Sequence, residues 1–290
     1  MRTAQTYAVS GVESFEGQNS VMATVVFVHA HPDDEAILTA GTMHALVQAG
    51  HRVVLALATD GAAGLTDDFH SGELGNRRLA ESQAAADAIG IARRQWLGFA
   101  DSGLDAQATS SLTSLCAASL DECAERLAQL LREEDADVVV GYDARGGYGH
   151  PDHLRVHEMT HRAAALHATP YVFEATLSRN KIRRAISWAA PLGTLFGIDT
   201  VNNLLNGFSD ESEIAIEVDV RSHRAIKKES MRAHASQTVG GALPRSLQLF
   251  LGLPDSLFDY ALGREYFNQT AGDAENVLSQ LPSATSRRHD

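Results

Sequence analysis

The sequence predicts an α/β fold, in which a Rossmann-like, doubly wound and mostly parallel sheet is followed by a smaller mixed C-terminal lobe. Two observations support this fold class. Short apolar runs alternate with longer segments of helical periodicity over residues 23–177, as in chains built from strand–helix–strand units. The apolar runs are also nearly continuous, which indicates parallel strands buried on both faces.

The first strand–helix–strand unit occupies residues 23–59. Residues 23–29 and 52–59 are apolar and rich in β-branched side chains, which favour strands. Between them, residues 35–50 carry apolar side chains at helical spacing and end at Gly50, a common helix stop signal. These residues are therefore predicted to form one helix that connects two parallel strands.

The alternation continues to about residue 180 and then weakens. Residues 181–208 mix helical and loop signals, residues 213–220 alternate as a half-exposed strand, and residues 221–236 are helical. The remaining helices predicted for the first part are 77–89, 120–134 and 154–167, and its remaining strands are 95–99, 137–141 and 171–177.

These patterns divide the chain into four parts. We expect a flexible N-terminal extension over residues 1–21 and a Rossmann-like core, with the catalytic groups, over residues 22–180. A smaller C-terminal lobe packed on that core is expected over residues 181–275, and a flexible tail over residues 276–290.

Composition argues against several classes of partner. With 24 Lys+Arg against 37 Asp+Glu, the net charge is -13, which disfavours nucleic acids and anionic membrane surfaces. The N-terminus lacks the apolar segment of a secretory signal, and Cys116 and Cys123 lack a metal-binding spacing. We therefore expect a cytoplasmic protein that acts on a small molecule, with homo-oligomer formation left open.

Two polar clusters directly follow predicted strands. His-Ala-His-Pro-Asp-Asp-Glu spans residues 29–35, and a second cluster that ends in His-Pro-Asp-His spans residues 142–153. Ligands of an open parallel sheet bind outside the carboxyl ends of its strands. A dinucleotide site would place a glycine-rich loop after the first strand, whereas this loop carries imidazoles and carboxylates.

These residue types predict a catalytic metal site. Such sites typically have three nitrogen or oxygen ligands and one position open for water. His31 and Asp34 come from the first loop, and His153 from a loop that would face it across adjacent strand ends. Asp33 is then placed to take a proton from water, whose pKa zinc lowers to about 7. We expect Zn²⁺, although a site of this kind also accepts Fe²⁺. The alternative is that Asp33 or Asp34 merely caps a helix.

The paired motifs HPDDE and GGYGHPDH resemble the LmbE-like (PIG-L) family of zinc-dependent N-deacetylases. The likeness extends over residues 22–240 and includes the segments 74–81 and 233–237. It implies hydrolysis of the N-acetyl or N-acyl amide of a small amino sugar or amino-sugar conjugate. By this resemblance His31, Asp34 and His153 hold zinc.

The resemblance also implies roles for further residues. Asp33 is the general base, and Tyr148, on a loop that Gly146, Gly147 and Gly149 would make mobile, stabilises the oxyanion. His150 assists as an acid or electrostatic stabiliser and is oriented by the Asp152 carboxylate. Arg78 and Asp60 line the substrate pocket, unless Arg78 instead forms ion pairs with Asp67, Asp68 or Glu81.

The resemblance is strongest to the mycothiol-pathway branch, which contains N-acetylglucosaminyl-inositol deacetylases and mycothiol conjugate amidases. Residues 96–104 are similar to the amidases. Where the family has an acidic residue after the second glycine of the second-strand loop, Leu65 follows Gly64 here. This departure leaves the choice among inositol-linked and other N-acylated amino sugars open.

A second zinc motif, HExxH, is formed by His157, Glu158 and His161. It supports a metalloprotease as an alternative function, with His167 as a third ligand. The extended protease motif needs glycine where Ala164 stands, because the chain must leave the helix there. The sequence continues the helix instead, so we favour the deacetylase. A nonenzymatic binding protein is disfavoured because every catalytic position is filled.

Overall fold

The computed structural model describes five segments of the chain. The expected extension over residues 1–21 lies outside them, and so do Leu65, Asp67 and Asp68. The described segments are residues 22–64, 71–104, 112–189, 205–238 and 246–286.

Eight strands in these segments form one sheet. They are β1 (Thr24–His29), β2 (Arg52–Thr59), β3 (Arg93–Phe99), β4 (Val138–Tyr142), β5 (Tyr171–Thr176), β6 (Ile216–Asp219), β7 (Arg264–Ala271) and β8 (Ala284–Ser286). Their order is β3-β2-β1-β4-β5-β7-β6-β8. The first five strands are parallel, and β7, β6 and β8 add antiparallel pairs. The predicted α/β class with a mostly parallel sheet is confirmed.

The described segments also contain nine α-helices. They are α1 (Asp34–Leu38), α2 (Ala40–Gln48), α3 (Ser71–Ile89), α4 (Leu120–Glu134), α5 (Pro151–His167), α6 (Arg179–Ala189), α7 (Arg224–Ala233), α8 (Ser246–Leu251) and α9 (Asp255–Leu262). Short 3₁₀ turns, Arg221–His223 and Ala235–Gln237, flank α7. Among the described helices, none combines the length and apolarity that a bilayer-spanning segment needs.

Side chains of β1 are buried on both faces of the sheet. Val26 and Val28 point into one apolar core, and Val25 and Phe27 point into the other, all with no exposed surface. This two-sided burial explains why the strand is a continuous apolar run in the sequence.

The chain reverses its direction of sheet growth at β1. It first adds β2 and β3 on one side and then places β4 on the other, with Val26 of β1 opposite Val139 of β4. Such a reversal opens a crevice at the carboxyl ends of the two strands, where α/β proteins bind ligands. Both histidine clusters lie at this crevice.

The structure divides the predicted helix 35–50 into α1 and α2. Thr39 stands between them with φ −141°, and its hydroxyl oxygen is 2.8 Å from His29 Nε2. The backbone N–H groups of Gly41 and Thr42 donate to the carboxylate of Glu265 at 3.0 and 2.7 Å. A side chain from β7 thus caps α2, and no local sequence signal marks this contact.

The C-terminal part differs from the lobe and tail that we expected. Instead of only packing on the core, it contributes β6, β7 and β8 to the same sheet. The expected flexible tail is corrected for residues 276–286, because Leu278 and Leu281 fill the core and β8 pairs with β6. Residues 287–290 lie outside the described segments.

Candidate metal centre and active site

The three predicted metal ligands converge at the crevice between β1 and β4. His31 and Asp34 lie just after β1, and His153 lies in the first turn of α5. Asp34 Oδ2 is 3.3 Å from His31 Nδ1 and 3.4 Å from His153 Nε2. Residues that are far apart in the sequence therefore present their donor atoms to one point.

The two spacings that involve Asp34, and the burial of His153, match those expected around a tetrahedral metal ion. A zinc ion with bonds of about 2.1 Å holds its ligand atoms about 3.4 Å apart. His153 is 2% exposed, and neither of its ring nitrogens has a hydrogen-bond partner among the described residues. Because buried polar atoms are normally satisfied, this imidazole has the character of a ligand. Two imidazoles and a carboxylate form a donor set that suits zinc.

The second nitrogen of His31 faces two carboxylates. Its Nε2 is 3.2 Å from Asp152 Oδ2 and 3.5 Å from Asp101 Oδ1. Although burial opposes it, hydrogen bonds to Asp101, Asp152 and Asp34 raise the pKa of His31 well above its usual value. A carboxylate behind a ligating histidine fixes its tautomer and orientation, so Nδ1 is the nitrogen that faces the metal position.

The Asp152 carboxylate does not take the position that we expected. It contacts His31, accepts from Ser102 N at 2.9 Å and accepts from Cys116 Sγ at 3.2 Å. His150 is instead held by the backbone, because Asp152 N donates to His150 Nδ1 at 3.1 Å. The reason is helical geometry: His150 caps α5, so the Asp152 N–H points at its ring, while the Asp152 side chain points across to His31.

Tyr142, at the end of β4, supports the ligand Asp34. Its hydroxyl donates to Asp34 Oδ2 at 2.7 Å and accepts from Ala30 N at 3.1 Å. Its ring stacks on His153, with 4.2 Å between centroids. The tyrosine thus fixes two of the three candidate ligands.

Asp33, the predicted base, is held in an unusual conformation. Its φ of 122° lies in the region that favours glycine, and its carboxylate Oδ1 is 3.1 Å from Arg78 NH2. Burial raises the pKa of Asp33 to about 6, against the opposing effect of Arg78. From the other side, Glu35 Oε2 accepts from Asp33 N at 3.0 Å, while Glu35 Oε1 is 2.5 Å from His234 Nε2. Such strain persists only when its surroundings impose it.

The predicted substrate residues Arg78 and Asp60 mainly contact protein. Arg78 is 3% exposed and donates to Gly61 O at 2.6 Å and to Pro32 O at 2.7 Å. Its acidic partner is Asp33, and Glu81 pairs with Arg77 instead. Asp60 Oδ1 accepts from Ala62 N at 3.1 Å and Asp101 N at 3.3 Å. Both side chains thus organise the loops around the crevice.

His150 and Tyr148 lie beside the candidate ligands. The His150 ring centroid is 4.6 Å from that of His31, and the Tyr148 ring centroid is 5.2 Å from that of His153. Burial, with the nearby imidazoles of His31 and His153, lowers the pKa of His150 to about 4. Because Nδ1 of neutral His150 accepts a hydrogen bond, its proton is on Nε2. Burial also raises the pKa of Tyr148, which keeps its hydroxyl a donor.

The HExxH residues do not have a protease geometry. Glu158, which would be the base, pairs with Arg155 at 3.1 Å, and its side chain is 52% exposed. His167 Nδ1 is 3.0 Å from Thr169 Oγ1, two residues further along the chain. His157 and His161 instead approach Glu174 of β5, which places this motif on another side of α5 from His153.

Sequence reasoning missed Tyr142 and Asp101. Each follows or ends a parallel strand at the same edge as the ligands, and this position is a signal that the sequence does carry. What the sequence lacks is the direction of each side chain, which depends on how β3, β1 and β4 are placed in the sheet.

Imidazoles and carboxylates cluster where the strand order of this open sheet reverses, between β1 and β4. Such a cluster is typical of metal-dependent hydrolases. Residues 26–164, which include both histidine clusters, match the family model described as PIG-L: GlcNAc-PI de-N-acetylase. The chain belongs to the PIG-L family of N-deacetylases. It is therefore a hydrolase that acts on an amide bond.

Relatives match nearly the whole chain. A 1D-myo-inositol 2-acetamido-2-deoxy-alpha-D-glucopyranoside deacetylase of Geodermatophilus obscurus is 34% identical over 279 residues, which are 86% of this chain and 92% of that protein. The enzyme of the same name from Streptomyces griseus is 34% identical over 291 residues, covering 90% of each chain.

The fold is shared with solved structures. N,N'-diacetylchitobiose deacetylase from Pyrococcus horikoshii has a TM-score of 0.58 and 20% identity, over 86% of this chain and 84% of that one. At this identity the comparison establishes the common architecture of the two chains.

Proposed function

We propose that this protein is a zinc-dependent N-deacetylase that removes the acetyl group from a small amino sugar joined to a cyclitol. The position of Asp34 Oδ2 between His31 and His153 carries this proposal, because these three residues would form a three-ligand site at the strand ends. When bound there, zinc would supply a Lewis acid that lowers the pKa of water to about 7 and polarises the amide carbonyl.

In the proposed mechanism, Asp33 acts as the general base. Its carboxylate neighbours the ligand Asp34 and is positioned by Arg78, and burial raises its pKa to about 6, which favours proton transfer near neutral pH. A carboxylate in this position takes a proton from the attacking water and then delivers it to the leaving amine. Both proton transfers take place over a short distance, so they do not require the constrained backbone of Asp33 to move.

Tyr148 and His150 would stabilise the charge that develops on the amide oxygen. Tyr148 offers a phenolic O–H, and neutral His150 offers its Nε2–H, since its Nδ1 is occupied by Asp152 N. Hydrogen bonds aimed at a developing oxyanion are among the largest contributions to amide hydrolysis. Asp152 and Asp101 would meanwhile orient His31 as a ligand.

The substrate proposal is supported by the named activity of relatives with 34% identity. We propose that the protein acts on a small molecule in the cytoplasm. We also propose that it binds neither nucleic acid nor a membrane. The net charge of -13 supports the absence of polyanionic partners. Fe²⁺ is proposed as an alternative occupant in the cell, because the nitrogen and oxygen donor set suits both ions.

The test is a substrate screen with the purified, zinc-loaded protein. N-acetylglucosaminyl-inositol, free N-acetylglucosamine, diacetylchitobiose and a mycothiol conjugate are compared by release of free amine, with and without chelator. We expect the inositol-linked sugar to react fastest and the chelator to stop its hydrolysis. Faster cleavage of the mycothiol conjugate would assign the amidase activity instead, and no release from any of the four would contradict the proposal.

A further inference from the structure

A second group of metal-binding side chains lies on another side of α5. His161 Nε2 is 2.9 Å from Glu174 Oε1, and the His157 ring lies beside the His161 ring, with 4.6 Å between their centroids. The three residues offer ligand atoms that all lie within 4.8 Å of one another. The two histidine side chains are 21% and 35% exposed, so an ion can reach them from solvent.

Neighbouring groups already orient these side chains. The Tyr142 carbonyl is 3.0 Å from His157 Nδ1, which places a proton on Nδ1 and leaves the lone pair on Nε2. Asn268 Nδ2 donates to Glu174 Oε2 at 3.2 Å, which leaves the other carboxylate oxygen toward the histidines. Hydrogen bonds behind the donor atoms are typical of protein metal sites.

We propose that His157, His161 and Glu174 bind a second divalent transition-metal ion, such as Zn²⁺, at a site separate from the deacetylase centre. Two histidines one helical turn apart and a carboxylate from a neighbouring strand form a common zinc donor set. The inference does not depend on the proposed substrate, because its ligands are outside the crevice.

The second site has a structural role. The carboxylate that would act as a base in an HExxH enzyme, Glu158, faces solvent and pairs with Arg155. A metal here instead joins α5 to β5 through Glu174. Because His150 caps α5 and His153 lies in its first turn, this link stabilises the helix that presents the catalytic groups.

The competing explanation is a plain ion pair. Although burial opposes it, hydrogen bonds from His157 and His161 lower the pKa of Glu174 to about 2, and the hydrogen bond to Glu174 raises the pKa of His157. The same contacts therefore stabilise protonated histidines when no ion is present. Only the number of bound metal ions separates the two explanations.

The experiment is a metal count on the full-length protein. Metal-free wild type, His161→Ala and the matched control His167→Ala are loaded with Zn²⁺, dialysed and analysed by mass spectrometry, and Co²⁺ absorption spectra are recorded in parallel. We expect about two equivalents in wild type and the control, and about one in His161→Ala with deacetylase activity retained.

Additional variants identify which site is lost. Asp34→Asn is expected to lose the other equivalent while the Co²⁺ spectrum of the second site remains. Glu174→Gln provides a second route to the same loss should His161→Ala fold poorly, which circular dichroism would reveal. About one equivalent in wild type, or equal losses in His161→Ala and His167→Ala, would overturn the proposal.

Discussion

At Asp33, the backbone and the side chain are held by different neighbours. The φ of 122° is maintained by a hydrogen bond from its N–H to Glu35, which His234 in turn engages. The carboxylate is held by Arg78. This separation allows the side chain to exchange a proton while the backbone stays in place, as a general base requires.

Asp33→Asn is expected to lower kcat by about 10²–10⁴-fold, because the amide has no basic oxygen to accept a proton. Zinc content should remain at the wild-type level, since Asp33 is not a ligand in the proposed site. The measurements are steady-state amine release and metal analysis. Glu158→Gln is the control, and a larger loss in this control than in Asp33→Asn would favour the protease chemistry.

Tyr142→Phe is expected to weaken zinc binding by about 10–100-fold, because it removes a hydrogen bond to a ligating carboxylate. The hydroxyl also accepts from Ala30 N, so some stability is lost as well. Competition with a chromophoric chelator measures the affinity. Tyr148→Phe is the matched control and should lower kcat at unchanged zinc affinity. Equal zinc affinities in Tyr142→Phe and wild type would contradict the role of Tyr142.

The Arg78 guanidinium is a positioning group in this structure. Arg78→Met is expected to lower kcat and to destabilise the fold by about 3–5 kcal/mol, since Asp33 and two carbonyls lose their partner. Arg77→Met changes the exposed neighbour and should affect neither quantity much. Denaturant unfolding and separate kcat and KM values test this. An increase in KM with unchanged kcat would instead mean that Arg78 binds the sugar.

Among the elements, the loop from β4 to α5 links the catalytic groups to the C-terminal part of the chain. Gly147 O accepts from Phe208 N at 2.8 Å, and Gly147 N donates to Asp143 Oδ1 at 3.2 Å. Gly147 has φ 63°, and a Cβ atom there would lie 3.0 Å from a ring carbon of Phe208. The loop therefore needs glycine at this position for both backbone and space.

Gly147→Ala is expected to destabilise the protein more than Gly149→Ala. Both positions have positive φ, which costs a non-glycine residue about 1–2 kcal/mol. Only Gly147 adds a close contact, because a Cβ at Gly149 meets nothing within 4 Å. Thermal unfolding and kcat of the two variants separate strain from crowding. Equal stabilities would mean that Phe208 moves aside at no cost.

The sequence predicts helices and strands best where a single burial pattern runs along the whole element. β1 and β2 are continuous apolar runs because both of their faces are covered, and α4 has a clear start at Ser119, whose side chain caps it. β7 was missed because its apolar part is short and its second half, Asn-Gln-Thr-Ala, is mostly polar and only partly buried or exposed. The break at Thr39 was missed because its causes, His29 and Glu265, lie outside the helix.

For the site, the sequence identifies the metal-ligand candidates better than the residues that hydrogen-bond to them. The ligand candidates stand in two short motifs, whereas Tyr142 and Asp101 join them only through strand order. The family resemblance assigned the Asp152 carboxylate to the neighbouring His150. The fold turns that carboxylate toward His31 instead.

At the scale of the whole molecule, the candidate centre connects distant parts of the chain. The segment that follows β1 supplies His31 and Asp34, and α5 supplies His153. His234 follows α7 and reaches the same loop through Glu35. The crevice is thus closed by contacts from the core and from the C-terminal part. A metal that binds only this arrangement must stabilise the entire fold.

Metal removal is therefore expected to lower the thermal stability of the protein. An ion at 1,000 times its dissociation constant contributes about 4 kcal/mol to a folded state that alone binds it. Differential scanning calorimetry with Zn²⁺ and with chelator measures the shift in Tm, at constant protein concentration and pH. Asp34→Asn should lose the part of the shift that arises at the crevice, and His161→Ala the part that arises at the second site. A wild-type Tm that does not respond to chelator would contradict both sites, because each of them joins α5 to a strand or loop from elsewhere in the sheet.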